Sequence, residues 1–329
     1  MTSNDIELQA ADEKYLELTD GRSLAYSESG DPSSSSLAIF LHGAFSVGDA
    51  TQIPQILVEK NVHSVHPTLP GWGASSPRPK DVPYYVTLAS DIAELIVHLH
   101  PHDLNLKIYL AGYAFGTIPA QMLYGAPFDL FPFGRSVVGC LLFAPFSPFK
   151  LHKEYAKEMT AQSYVALGPL SQYVPFNLLP RMSSLYMKSK LQTLEKAETF
   201  VREEIFGPMG EEDNTVFDEW REEQGVGKGA VQCKIAKNMC RSVQETWDGF
   251  FEMPDVMHTD WGFRPDTLNE DHNRRPILVI GSPGNAMAPD TMAKWLAANY
   301  KNCHYRSVSG GHLATLFHMN DMWKDLFAL

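Results

Sequence analysis

The fold of this 329-residue chain is decided by the stretch Ile108-Tyr109-Leu110-Ala111-Gly112-Tyr113-Ala114-Phe115-Gly116-Thr117. It begins as an apolar run typical of a buried strand, and a helical pattern resumes over residues 118–124. Glycine lets a strand and a helix approach closely around a residue held in an unfavourable backbone conformation, and Gly112 and Gly116 flank the centre of this stretch. The segment therefore predicts a strand, a sharp turn with Ala114 at its apex, and a helix.

Strands and helices alternate on both sides of this segment. The predicted strands cover residues 37–41, 62–66, 106–110, 137–144, 276–280 and 303–307, and the predicted helices cover residues 53–59, 86–98, 118–124, 291–300 and 318–327. Near the start, Asp20-Gly21 favours a tight turn between residues 15–18 and 23–27, which we expect to be antiparallel edge strands. The pattern predicts an α/β fold with a doubly wound, mostly parallel sheet of the eight-stranded type.

The alternation stops between residues 147 and 262. This stretch contains aromatic-rich and amphipathic helical segments separated by charged loops. We expect it to be a helical cap inserted into one α/β core, whose two parts are residues 1–146 and 263–329.

Charge and composition exclude several functions. The chain has 27 basic and 39 acidic residues and a formal charge of −12, which repels phosphate backbones and anionic lipid surfaces, so nucleic acid is not an expected partner. Residues 1–14 are polar and acidic, and no apolar run has the roughly 18 residues that a membrane span needs. We therefore expect a cytoplasmic protein with no membrane span, while no pattern indicates an oligomeric state.

Cofactor and metal motifs are also missing from the sequence. The four cysteines have no CxxC spacing and are expected to be reduced thiols. Gly71-Trp72-Gly73 lacks the third glycine of a dinucleotide fingerprint, and no phosphate loop or metal-ligand cluster occurs. We therefore expect no cofactor and no metal.

Three further landmarks accompany the 108–117 segment. His42-Gly43-Ala44-Phe45 follows the first predicted parallel strand, Pro70-Gly71-Trp72-Gly73-Ala74-Ser75 follows the next, and Gly310-Gly311-His312 follows the last. Each motif alone is common. In this order and at this spacing, over nearly the whole chain, they resemble the α/β-hydrolase superfamily.

The resemblance implies a role for each landmark. The family pattern G-x-S-x-G places a serine nucleophile where this chain has Ala114. The backbone N–H groups of Ala44 or Phe45 and of Phe115 would form the oxyanion hole, and His312 would be the general base. His42 is expected to shape the oxyanion loop rather than titrate.

The acid that orients the histidine is expected shortly before a proline, within Ile280-Gly281-Ser282-Pro283-Gly284-Asn285-Ala286-Met287-Ala288-Pro289. Counting back from Pro289 places Asn285 at that position, whereas counting forward from Gly281 places Gly284 there. Neither is a carboxylate. Asparagine can hold an imidazole by a hydrogen bond but cannot stabilise an imidazolium by charge. Alternative candidates for the acid are Asp290, Asp266 and Asp260. Otherwise Asp290 is a charge at a helix N-terminus, and the other two are solvated loop charges.

An alanine has no oxygen with which to attack a carbonyl, so no acyl-enzyme can form at position 114. Ala114 is either a deliberate Ser-to-Ala replacement or a natural loss; the intact glycines favour a recent single change, and Asn285 favours older divergence. Three functions remain open: a hydrolase of the esterase or lactonase type with its serine replaced, a lyase, cyclase or isomerase with His312 as base, and a ligand-binding protein without catalysis.

The expected ligand is a small to medium apolar or aromatic molecule, because the expected cap is rich in aromatic side chains. Alternatively, most of these side chains pack the cap onto the core. The residues concerned are Phe149, Tyr155, Tyr164, Phe176, Tyr186, Met187 and Trp247, together with Phe146 just before the cap.

Overall fold

The computed structural model describes residues 13–101, 103, 105–169 and 178–329. The strands are β1 (Lys14–Glu17), β2 (Ser23–Ser29), β3 (Ser36–Leu41), β4 (His63–Pro67), β5 (Lys107–Tyr113), β6 (Val137–Phe143), β7 (Ile277–Gly281) and β8 (Cys303–Ser307). The helices are α1 (Gln55–Glu59), α2 (Tyr84–Leu99), α3 (Thr117–Gly125), α4 (Ala161–Leu167), α5 (Leu178–Lys190), α6 (Leu194–Phe200), α7 (Glu211–Glu223), α8 (Ala230–Ser242), α9 (Asp248–His258), α10 (Glu270–Asn273), α11 (Asp290–Asn299), α12 (Ala314–Phe317) and α13 (Met319–Ala328).

The eight strands form one sheet in the order β1-β2-β4-β3-β5-β6-β7-β8. From β4 to β8 the neighbouring strands are parallel, while β2 is antiparallel to both β1 and β4. The predicted α/β fold with a mostly parallel sheet is confirmed. One detail is wrong: β1 lies at the edge, but β2 is internal, because its last residues pair with β4.

Helices cover both faces of the sheet, because alternate strand residues point to opposite sides. On β3, Leu37, Ile39 and Leu41 belong to a core with α2, α3 and α11. Ala38 belongs to a second core on the other face, with α1 and α13. Both faces of the central strands are therefore buried, which explains their uninterrupted apolar sequences.

The segment between β6 and β7 contains the helices α4 to α10, of which α4 to α9 lie within residues 147–262. Part of it has its own apolar cluster, built on Val201, Phe217 and Ala236, against which Phe45 and Leu313 of the flanking loops pack. Helical structure in this segment agrees with the expectation, whereas its status as a cap that controls access stays a proposal.

Candidate active site

The turn between β5 and α3 has the predicted form. β5 ends at Tyr113, a single 3₁₀ turn covers Ala114–Gly116, and α3 begins at Thr117. The backbone of Ala114 has a φ of +48°, a left-handed conformation that alanine rarely adopts, and its side chain is only 5 % exposed. Ala114 therefore lies at the apex of a strained turn at the carboxyl end of a central strand.

The two flanking glycines are required by sterics. A Cβ on Gly112 would collide with the carbonyl oxygen of Gly116. A Cβ on Gly116 would collide with the Leu41 carbonyl oxygen at the end of β3 and would lie 2.6 Å from that of His42. These obstacles are backbone atoms, so no side-chain movement relieves them.

The Thr117 side chain holds the turn by two hydrogen bonds that the sequence did not predict. Its hydroxyl donates to the Ala114 carbonyl oxygen at 2.6 Å and accepts from the Phe146 backbone N–H at 3.1 Å. The Gln121 amide donates to the Phe146 carbonyl oxygen at 2.9 Å. The turn and the loop after β6 are thus held together by side chains of α3.

His42 shapes the loop after β3, as expected. One ring nitrogen, Nδ1, donates to the Gly43 carbonyl oxygen at 2.7 Å, while Nε2 accepts from the backbone N–H of Leu69 at 2.9 Å. These partners require a neutral ring, and burial lowers the pKa of His42 to about 4. The loop turns sharply at Phe45, whose φ is +52°.

The glycine-rich loop after β4 has a structural role. Its Ser75 hydroxyl donates to the Thr68 carbonyl oxygen at 2.7 Å and accepts from the Ala25 backbone N–H at 2.9 Å. Trp72 is buried against Phe45, with ring centroids 5.7 Å apart. This loop therefore supports the loop that carries Ala44 and Phe45.

His312 is paired with Asn285, one of the two residues that counting placed at the acid position. The Asn285 Oδ1 atom lies 3.0 Å from the His312 Nδ1 atom, and it accepts from the backbone N–H groups of Met287 at 3.1 Å and Ala288 at 3.0 Å. Two backbone donors fix this atom as the oxygen of the amide. Nδ1 of His312 must then donate, so Nε2 has a free lone pair. Gly284 instead packs against the backbone of Gly310.

The other end of the Asn285 amide has no partner. Asn285 is 3 % exposed, and its Nδ2 atom has no hydrogen-bond acceptor in the described part of the chain. An unsatisfied buried donor costs about 1–3 kcal/mol. A carboxylate would fill the same position without this orphaned donor, so the surroundings of residue 285 suit aspartate better than asparagine.

The alternative carboxylates are engaged elsewhere. Asp290 accepts from the Tyr305 hydroxyl at 2.7 Å and pairs with Lys294 at 2.8 Å. Asp266 pairs with Arg264 and Asp260 with Lys150. The structure does not place any of the three expected substitutes on His312.

A sequence profile of the alpha/beta hydrolase family matches residues 38–328. The chain belongs to the alpha/beta hydrolase family. No curated protein sequence matches this family member.

Solved structures with the same fold cover nearly all of this alpha/beta hydrolase. A hydrolase from Pseudomonas aeruginosa PA01 has a TM-score of 0.60 at 16% identity, covering 98% of this chain and 100% of its own. The esterase RhEst1 from Rhodococcus sp. ECU1013 has a TM-score of 0.60 at 13% identity, covering 97% and 99%. A bromoperoxidase from Bacillus anthracis has a TM-score of 0.55 at 15% identity, covering 96% and 100%. At such identities the similarity shows the fold alone.

In this hydrolase-family chain a carboxylate from the helical segment between β6 and β7 contacts the loop that carries His312. Oδ2 of Asp213, on α7, accepts from the Gly311 backbone N–H at 3.0 Å, and a Cβ on Gly310 would collide with Oδ1. Sequence reasoning did not single out Asp213, because it lies almost a hundred residues before the loop it contacts. Tyr113 holds the same loop, since its hydroxyl donates to the His312 carbonyl oxygen at 3.3 Å.

The side chains on which the expectation of an apolar ligand rests lie in different surroundings. Phe146, Phe149 and Tyr155 are buried and pack together, and Phe149 and Tyr155 stack with ring centroids 3.8 Å apart. Trp247 instead contacts Phe45, at a centroid distance of 6.3 Å. Met187 packs at the edge of the apolar cluster built on Val201, Phe217 and Ala236. Tyr164 and Tyr186 are exposed, and Phe176 lies outside the described residues.

In the described ranges no helix is long and apolar enough to cross a membrane. Those ranges also hold no group of three histidine, cysteine or acidic residues arranged to bind a metal ion. All four cysteines, Cys140, Cys233, Cys240 and Cys303, are free.

The titration of His312 tests its pairing with Asn285. Removal from water lowers the pKa of the half-buried imidazole to about 4, so the ring is neutral at pH 7. We expect Asn285→Asp to raise this pKa by roughly 1–3 units, because a carboxylate favours the imidazolium. An NMR titration of the His312 ring in both proteins measures the shift. An unchanged pKa in the variant would show that residue 285 does not govern the histidine.

Proposed function

We propose that the chain binds a small to medium apolar or aromatic carbonyl compound, an ester or lactone, beside Ala114, and that any hydrolysis there proceeds without an acyl-enzyme. The observation that carries the proposal is the pairing of His312 with Asn285, in which Nδ1 donates and Nε2 keeps its lone pair. The turn residue Ala114 has no side-chain oxygen. The esterase and hydrolase names of structures with the same fold support the choice of an ester.

The proposed chemistry uses a water molecule in place of the missing serine oxygen. As the water oxygen bonds to the carbonyl carbon, His312 Nε2 removes its proton, and the negative charge that develops on the carbonyl oxygen is stabilised by the backbone N–H groups of Phe115 and of Ala44 or Phe45. The imidazolium then returns the proton to the leaving alkoxide. Without a neighbouring carboxylate the imidazolium is poorly stabilised, so turnover is slow; the remaining parts of such a site give roughly 10³–10⁴ over water.

The unmodified protein tests this mechanism with 4-nitrophenyl esters. We expect slow, linear release of nitrophenol with no initial burst, and no acylated peptide by mass spectrometry. His312→Gln should lower the rate to what the backbone N–H groups and binding alone supply, while binding of the ester, measured by calorimetry, should change less than the rate. A burst with a covalent adduct, or a rate that is unaffected in His312→Gln, would refute the proposal.

A second candidate function is non-hydrolytic chemistry with His312 as a base, such as a lyase, cyclase or isomerase reaction. It is favoured by the free lone pair on Nε2, which faces no serine hydroxyl in this chain. A base in this place would remove a proton next to the carbonyl of a bound ketone, and deuterium exchange at that carbon would report it. A chain that binds esters and ketones but transforms neither is a ligand-binding protein.

A further inference from the structure

A cavity of about 100 Å³ lies between the sheet and the helices α1 and α13. Ala114, Asn285 and His312 do not line it. Polar and apolar side chains share the lining, which consists of Phe40, Asp49, Gln52, Pro54, Leu57, Ser64, His66, Met319 and Trp323. Gln52, one of the lining residues, is exposed, so the cavity reaches the protein surface.

A serine and a histidine on β4 form a defined pair in this wall. The Ser64 Oγ atom lies 3.0 Å from the His66 Nε2 atom, and the other ring nitrogen of His66 donates to the Asp49 backbone carbonyl. A carbonyl only accepts, so Nε2 is the unprotonated nitrogen and the Ser64 hydroxyl donates to it. Oγ of Ser64 therefore presents only lone pairs to any further partner.

Trp323 contributes a donor without an acceptor. Its indole is 1 % exposed and lines the cavity, and its Nε1–H group has no hydrogen-bond partner among the described residues. Buried indole N–H groups usually find an acceptor. An acceptor inside the cavity would supply the one that is missing here.

The charges around the cavity favour an uncharged occupant. The Asp49 carboxylate lies 3.4 Å from the Lys234 ammonium and accepts from the Asn238 amide at 2.8 Å. Its charge is thus compensated from α8. Burial lowers the pKa of His66 to about 4, so that ring is neutral as well. An ion would lose its hydration without gaining a free counter-charge.

We propose that this cavity binds a small neutral carboxamide whose carbonyl accepts from the Trp323 indole and whose N–H₂ donates to Ser64 Oγ. Size limits the ligand, since a cavity of about 150 Å³ holds the six carbons of benzene and one a third smaller takes roughly four to five heavy atoms. Leu57, Met319 and Phe40 would contact its short alkyl part. Propanamide has this size and both groups.

Propanamide and butanone, which have equal numbers of heavy atoms, test the proposal on the full chain. In ¹H–¹⁵N spectra we expect propanamide to shift the Trp323 indole resonance saturably, with a Kd in roughly the millimolar range. Butanone lacks the N–H₂ donor and should bind about 3–10-fold more weakly. Ser64→Ala should remove this difference, because the variant lacks the acceptor.

A matched pair of variants tests the location. Met319 lines the cavity, whereas Met322 on the same helix packs on the neighbouring core without lining it. We expect Met319→Trp to abolish the Trp323 shift and Met322→Trp to preserve it. A Trp323 resonance that does not respond, or that responds equally in Met319→Trp, overturns the site, and equal affinities for propanamide and butanone overturn the carboxamide assignment.

Discussion

Joint replacement of Ala114 by serine and Asn285 by aspartate is expected to raise kcat/KM for 4-nitrophenyl esters by about 10³-fold or more over the unmodified chain. The serine restores an oxygen at the apex of the β5–α3 turn, and the aspartate stabilises the imidazolium that forms on His312. The existing contacts favour the aspartate, since the N–H groups of Met287 and Ala288 already face the oxygen at position 285. Steady-state kinetics, together with mass detection of an acyl group on the peptide that spans position 114, measure the outcome.

The single variants serve as controls for this prediction. Asn285→Asp alone should gain little because no nucleophile is present, and Ala114→Ser alone should gain far less than the pair, since an asparagine in place of the triad acid costs about 10⁴ in kcat in a serine protease. The gain should therefore be strongly non-additive. Adding His312→Gln to the double variant should remove it. A double variant no faster than the unmodified chain would show that Ala114 does not occupy a nucleophile position.

Gly116→Ala is expected to destabilise the fold by about 3 kcal/mol or more, at the upper end of the effects of overpacking. The added methyl group meets the carbonyl oxygen of Leu41, which is held in the sheet, and that of His42, whose ring is anchored by hydrogen bonds to Gly43 and Leu69. Either β3 or the start of α3 must move. We expect little folded protein, measured by thermal unfolding and by the yield in the soluble fraction.

Gly227→Ala is the matched control. A Cβ on Gly227 meets no heavy atom within 4 Å, so its effect on the free energy of unfolding should stay within about 0.5 kcal/mol. If Gly116→Ala unfolds at the same temperature as Gly227→Ala, the close approach of β3 and α3 at this point is not a feature of the native protein.

The fold was largely predictable because its signals are local. The apolar run of β5, the two glycines and the Asp20-Gly21 turn each report on a few neighbouring residues, and those elements lie where expected. The position of β2 was not predictable, since pairing between Ser29 and Ser64 joins residues far apart in sequence. No local sequence pattern specifies which strand of the sheet pairs with a hairpin.

The sequence predicted which loops carry the candidate site residues. It did not predict the hydrogen-bond partners of those residues. Counting residues left Gly284 and Asn285 as equal choices for the acid position. The contact of His312 with the Asn285 oxygen, which is oriented by backbone donors that follow it, is visible only in the structure. The contacts of Thr117 with Ala114 and of Asp213 with Gly311 were not predictable, because hydroxyl and acidic residues are common on helices and only the folded structure brings these pairs together.

The hydrogen bond between Asp213 and Gly311 has a consequence for the order of events during a binding cycle. It joins α7 to the loop that carries His312, so if the proposed cap admits a ligand by a displacement of α7, the loop loses this contact at the same time. Asn285 and Tyr113 would still hold the imidazole and its loop from the side of the core. The proposed opening would therefore leave the base with fewer contacts until α7 returns.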